Sequence, residues 1–196
     1  MSRVRPQTCL QQACNKCVTA APLRGCRRYG REVTRPHRDQ QVGVHHATAR
    51  GNGRGAIFLD DEDRILYRYR LEWTAHDFDW EILLWCLMTN HVHLLIETRK
   101  ANLSAGMQRL HGHYAQLFNE RHVRTGHVFG GRFWSVPVET DEHFEIASHY
   151  ILDNPVTAGL VLRRQDWPWL GGTIIERDGG RLGRVAAPSP PAVSGV

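Results

Sequence analysis

The chain has 196 residues, 41% of them hydrophobic and 23% charged, which suffices for one domain with its own core plus some trailing sequence. No run of about 18 apolar residues occurs and the start lacks the charged-then-apolar pattern of a secretory signal, so neither membrane insertion nor export is indicated and a cytoplasmic location is expected. The formal charge of +5 points towards nucleic acid, but residues 1–41 hold nine Lys and Arg against two acids, leaving 16 basic (25 minus 9) and 18 acidic (20 minus 2) residues elsewhere, so the globular part is not basic as a whole.

Residues 1–41 scatter Pro6, Pro22 and Pro36 among arginines and read as a disordered basic extension. Cys9, Cys14, Cys17 and Cys26 fall here, and Cys14 and Cys17 have the spacing of a zinc knuckle; the eight residues between Cys17 and Cys26 are too many for a short ligand loop and favour a basic leader over a metal site. Val42 to Ala49 reads as a strand running into a glycine-rich turn at Gly51, Gly53 and Gly55. The acids of "LDDEDR" open a helix whose apolar stripe is expected at Ile65, Tyr69 and Trp73, with Tyr67 off it. "WEILLWCLM" and "NHVHLLIET" then form a hairpin about Thr89 and Asn90, with Cys86 as a small core residue.

Leu103, Met107, Leu110, Tyr114 and Leu117 recur at helical spacing and make the strongest helix signal of the chain. Between Arg99 and Trp134 lie Arg99, Lys100, Arg109, Arg121, Arg124 and Arg132 against Glu120 alone, a bias that suits phosphates or simply a solvated face. A strand is expected over 133–138, and a third helix from Asp141 that stops near Asn154 because Pro155 disfavours helical backbone before it. Residues 42–172 are thus one domain and 173–196 a disordered tail. The order of elements predicts an α+β fold: an antiparallel sheet with helices packed mainly on one face, in the ferredoxin-like split βαβ style.

Strand alternation puts His91, His93 and Leu95 on one face and Val92, Leu94 and Ile96 on the other. Two imidazoles side by side are either polar residues at a sheet surface or the beginning of a divalent-metal site that needs a third ligand. Tyr150 and Asn154 lie one helical turn apart; an amide oxygen can ligate a hard cation and a phenol beside it can attack a phosphorus, although a half-buried aromatic and a helix-ending Asn are the plainer reading. Of the other tyrosines, Tyr114 and Tyr69 belong to apolar stripes and Tyr29 to the extension.

The segments "RGNGRGAIFLDDEDR", "WCLMTNHVHLLIET", "NLSAGMQRLHGHYAQLFNERH", "GHVFGGRF", "HYILDNPVTAGLV" and "DWPW", in that order over about residues 42–172, resemble the single-tyrosine HUH transposases, in particular the REP-associated tyrosine transposases. The resemblance implies the HUH endonuclease fold and a metal-dependent transposase that nicks and rejoins single-stranded, hairpin-forming DNA through a 5′-phosphotyrosine intermediate. It implies His91, His93 and Asn154 as ligands of Mg²⁺ or Mn²⁺, Tyr150 as nucleophile, and Arg109, Arg121, Arg124 and Arg132 as DNA contacts, with Arg50 and Asn52 as weaker ones. It leaves open a monomer or a homodimer, and a catalytically inactive hairpin-DNA binder of the same fold. The chain departs from the family pattern at Thr89, where proline is usual, and at His45, His46 and Ala47, where Tyr-His-Val is usual.

Overall fold

A computed structural model describes residues 42–177 of the chain; the expectations for 1–41, its four cysteines included, and for 178–196 lie outside the described residues. Strand β1 (Gly43–Arg50) leads through a short 3₁₀ turn to helix α1 (Asp61–Phe78), then to the hairpin β2 (Trp80–Leu87) and β3 (His91–Thr98), helix α2 (Leu103–Arg121), strand β4 (Trp134–Val138), helix α3 (Asp141–Thr157), strand β5 (Leu170–Gly171) and helix α4 (Thr173–Arg177). The sheet order is β4-β1-β3-β2-β5 and every neighbouring pair is antiparallel. Because β3 inserts between β1 and β2, the arrangement is the expected split βαβ, with β5 added outside β2.

The caps explain where the helices begin. Asp60 accepts the Asp63 amide at the start of α1, and Thr140 accepts the His143 amide at the start of α3. Acids fill the first turn of both helices, where the helix dipole favours them.

The sheet is buried on both faces. Val92, Leu94 and Ile96 of β3 join Leu71 of α1 and Met107, Leu110 and Phe118 of α2 in the larger core. Leu95 joins Leu84 and Cys86 of β2, Ala147 and Ile151 of α3 and Ile175 of α4 in a second one. Helices α1 and α2 therefore share one face, while α3 and α4 lie on the other. Cys86 is a core residue as expected, and burial pushes its thiol up to about 12. Among the described residues no helix is long and apolar enough to cross a membrane.

Four expectations are corrected. The stripe of α1 is rotated: Tyr67 and Leu71 are buried, whereas Trp73 is 53% exposed and rests beside Tyr69 with ring centroids 6.2 Å apart. The reason is tertiary, since Tyr67 packs on Phe58 and Tyr114 and its hydroxyl finds a partner in His111 Nε2 at 3.1 Å. Similarly, Phe118 rather than Leu117 ends the buried stripe of α2. Helix α3 continues past Asn154 to Thr157, because Pro155 sits in the last turn, where its missing N–H removes one bond and its ring is buried. Order extends beyond residue 172 through α4, since Ile175 enters the second core.

Candidate active site

The glycine-rich turn fixes the mouth of the site. Gly51 N–H donates to the Asn90 carbonyl at 2.8 Å, Ile57 N–H to the Thr89 carbonyl at 3.0 Å, and Asn90 Nδ2 to the Arg54 carbonyl at 3.0 Å. A Cβ at Gly51 would lie 2.0 Å from the Gly55 carbonyl oxygen, so no other residue lets this turn close. The β2–β3 turn is thereby clamped, and Arg50 at the end of β1 pairs with His91 at the start of β3.

Hydrogen bonds assign the imidazole tautomers. Asn90 Oδ1 can only accept, so the 2.7 Å contact with His91 Nδ1 puts the proton there and leaves His91 Nε2 with a lone pair. Asn154 Nδ2 donates to His93 Nε2 at 3.3 Å, and the opposite nitrogen, His93 Nδ1, donates to His46 Nε2 at 3.2 Å. Asn154 Oδ1 faces His91 Nε2 at 3.3 Å, so two acceptor atoms confront one another there.

Both imidazoles are held neutral. Burial lowers the His93 pKa to about 3, helped by His91, His46 and Arg50; burial also lowers that of His91, helped by Arg50 and opposed by its contact with Asn154. Burial and then His143 lower that of His46. The result is a pair of neutral imidazoles bridged by one amide, with Asn154 Oδ1 on His91 Nε2 and Asn154 Nδ2 on His93 Nε2, each at 3.3 Å. Two atoms binding one ion at about 2.1 Å and at 90° to 110° are about 3 to 3.5 Å apart, which the 3.3 Å between His91 Nε2 and Asn154 Oδ1 satisfies.

Helix α3 brings the phenol. Ala147 and Ile151 fasten it to the sheet, so Tyr150 and Asn154 project along its flank towards the histidines. The Tyr150 ring lies 5.4 Å from that of His93 and 5.9 Å from that of His46, centroid to centroid, and the residue is 55% exposed. Tyr150, His46, His91 and His93 line one cleft of about 390 Å³ together with Arg50, Trp134 and Ile146.

Four sequence-predicted residues thus meet: His91, His93, Tyr150 and Asn154. The four arginines fare differently. Arg121 is taken up by Asp60 and Asp63, each at 2.8 Å, and by Glu62, and Arg109 binds Asp77 at 2.7 Å. Arg124 lies over the Phe118 ring, and Arg132 is exposed; neither pairs with a carboxylate among the described residues. In the sequence His46 is legible only as a departure from a family pattern and Arg50 only as a turn residue or a weaker DNA contact, while nothing marks Trp134; register alone, which puts Thr48 opposite both His93 and Trp134, reveals their common face.

A second group, Asp60, Asp63 and His122, has potential ligand atoms within 4.8 Å of one another. Arg121 already supplies its positive charge, His122 Nε2 lies 2.9 Å from Asp63, and Asp63 also accepts the Leu59 amide, so the group locks the start of α1 to the end of α2.

The family model described as "Transposase IS200 like" matches residues 43–154. Among solved structures, that of a REP-associated tyrosine transposase bound to a REP hairpin aligns with a TM-score of 0.57 at 18% identity, covering 75% of this chain and 88% of the other. A transposase candidate from Deinococcus radiodurans R1 aligns with a TM-score of 0.43 at 17% identity, over 54% of this chain and 86% of the other. No curated protein sequence matches.

Proposed function

Because this chain belongs to the IS200-like transposase family, we propose that it is a metal-dependent nickase and strand transferase of single-stranded, hairpin-forming DNA, of the REP-associated kind. The observation that carries the reading is that one amide, Asn154, lies 3.3 Å from both His91 Nε2 and His93 Nε2 beside an exposed tyrosine. The site is made of neutral donors with two acceptors face to face, a set that fits a hard divalent cation better than it fits itself. His91, His93 and Asn154 would hold Mg²⁺ or Mn²⁺, which would supply Lewis acidity at the scissile phosphate.

The chain's own groups do the rest. His46 orients His93 by accepting its Nδ1–H, which keeps the proton off Nε2, the nitrogen on the Asn154 side that would ligate a metal. Tyr150 Oη attacks phosphorus in line; the Oη–P bond forms, the P–O3′ bond breaks, and the phenol proton ends on the departing 3′-hydroxyl. An incoming 3′-hydroxyl reverses these steps and joins new DNA without a nucleotide cofactor. Arg50, Arg124 and Arg132, exposed and free of carboxylates among the described residues, bind flanking phosphates and make affinity fall with salt; Arg109 and Arg121 contribute less, since acids already neutralise them.

The test is a labelled DNA hairpin with single-stranded flanks, incubated with Mg²⁺ or Mn²⁺. A covalent protein–DNA band is expected that chelator and Tyr150→Phe both abolish. A retained complex without any covalent band would instead leave a hairpin-DNA binder.

A further inference from the structure

Large apolar side chains are unusually open in the cleft beside the histidines. Trp134 is 59% exposed, Ile146 60% and Tyr150 55%, and all three line the same cavity. Scattered exposed hydrophobics need no explanation, but a group gathered in one concavity marks a place that something apolar enters. Trp73 makes the contrast: it is nearly as exposed, yet it lies against Tyr69. No aromatic ring among the described residues stacks on Trp134.

Register fixes how far Trp134 is from the chemistry. Trp134 pairs with Thr48 in β1, and Thr48 pairs with His93 in β3, so the three form one row on the α3 face of the sheet. At about 4.8 Å per strand, the Trp134 and His93 backbones are about 10 Å apart. Strand β4 is the sheet edge, so the cleft opens sideways to solvent. Its polar lining consists of Arg50, Thr48, Tyr150 and four histidines, His46, His91, His93 and His143, without a carboxylate. A ligand that is flat and apolar in one part and anionic in the next is the complement of such a wall.

We infer that the cleft between β4 and α3 is a nucleobase subsite, in which an unpaired base flanking the scissile phosphate stacks on the Trp134 indole against Ile146 while Arg50 meets the backbone. This rests on the reading of the histidines and Asn154 as the seat of that phosphate. A base paired within a duplex cannot offer its face to a side chain, so the subsite selects single-stranded flank over hairpin stem. Stacking is tolerant of base identity, and the subsite therefore reads strandedness more than sequence.

The experiment uses the full chain and a DNA hairpin with a single-stranded flank, the stem holding the register. Binding is measured by fluorescence anisotropy in chelator, so that it is independent of nicking. Trp134→Ala is expected to weaken binding about tenfold, with Trp134→Phe restoring most of the loss. A series of flanks, each lacking one base, should contain one position at which wild type loses that same factor and Trp134→Ala loses nothing further. In wild type, 2-aminopurine at that position should be quenched. Unchanged binding by a folded Trp134→Ala, an equal loss on every abasic flank, or no quenched position in the wild type overturns the subsite. Loss of the covalent band with quenching intact would sink the nicking reading and spare the subsite.

Discussion

Along β3 the side chains alternate between two unlike surroundings: Val92, Leu94 and Ile96 enter the core under α1 and α2, while His91, His93 and Leu95 face α3. A histidine sits on each side, and burial is the largest cause that pushes both His93 and His111 down to about 3, helped at His93 by His91, His46 and Arg50. His111 lies flat on Phe129, ring centroids 4.2 Å apart, with the Tyr67 hydroxyl on its Nε2. His93 has both ring nitrogens engaged, Nδ1 by His46 and Nε2 by Asn154, whose amide oxygen in turn faces His91 Nε2. A depressed imidazole pKa therefore does not distinguish packing from function; the direction of the neighbours' lone pairs does. The tyrosines divide in the same way, since Tyr67 and Tyr114 are buried with partnered hydroxyls, whereas Tyr150 is open.

The largest effect should come from Tyr150→Phe. It removes one exposed hydroxyl, so covalent DNA attachment should vanish while thermal stability stays within about 0.5 kcal/mol of wild type. Attachment persisting in that variant would move the nucleophile elsewhere. Next, Ile151→Ala should cost about 2–5 kcal/mol in denaturant unfolding, as should Leu110→Ala under the opposite face. Only Ile151→Ala should also weaken Mn²⁺ binding measured by titration calorimetry, because Ile151 fastens the helix that carries Asn154. Equal Mn²⁺ affinity in the two variants would mean that α3 does not set the site.

His46→Ala should lower Mn²⁺ affinity about 10- to 100-fold without matching loss of stability, since it frees the His93 ring to turn. The smallest effect concerns pH. His93 and His111 are neutral when folded but have the ordinary value of 6.5 when unfolded, so the unfolded chain binds more protons as pH falls from 6.5 towards about 3. Stability is thus full above 6.5 and declines below it, with each group costing about 1 kcal/mol at about pH 5.5. His111→Gln should flatten its share of that decline in melts at the two pH values, and an unaltered slope would refute the assignment.

Much of the fold was legible because its signals are local. Alternation in β3, the turn at Thr89 and Asn90, and the helical period from Leu103 to Tyr114 each depend on a few consecutive residues, and ordered segments resembling one transposase family joined His91 and His93 to Tyr150 and Asn154. The phase of α1 was not legible, because Trp73 and Tyr69 are as apolar as Tyr67 and only Phe58, Tyr114 and His111 choose between them. Nor was the fate of Arg121, whose three carboxylates lie about sixty residues away in the chain, at Asp60, Glu62 and Asp63.

The sequence by itself determined the order of elements from β1 to α3, the shared face of His91 and His93, and the one-turn offset of Tyr150 from Asn154, since backbone periodicity needs no distant partner. Tertiary structure alone decided that His46 backs His93, that Arg50 stands opposite His91, and that Trp134 shares a row with both strands of the site. Those facts depend on which strands become neighbours and in what register, and pairing between β1, β3 and β4 is set by burial across the whole sheet.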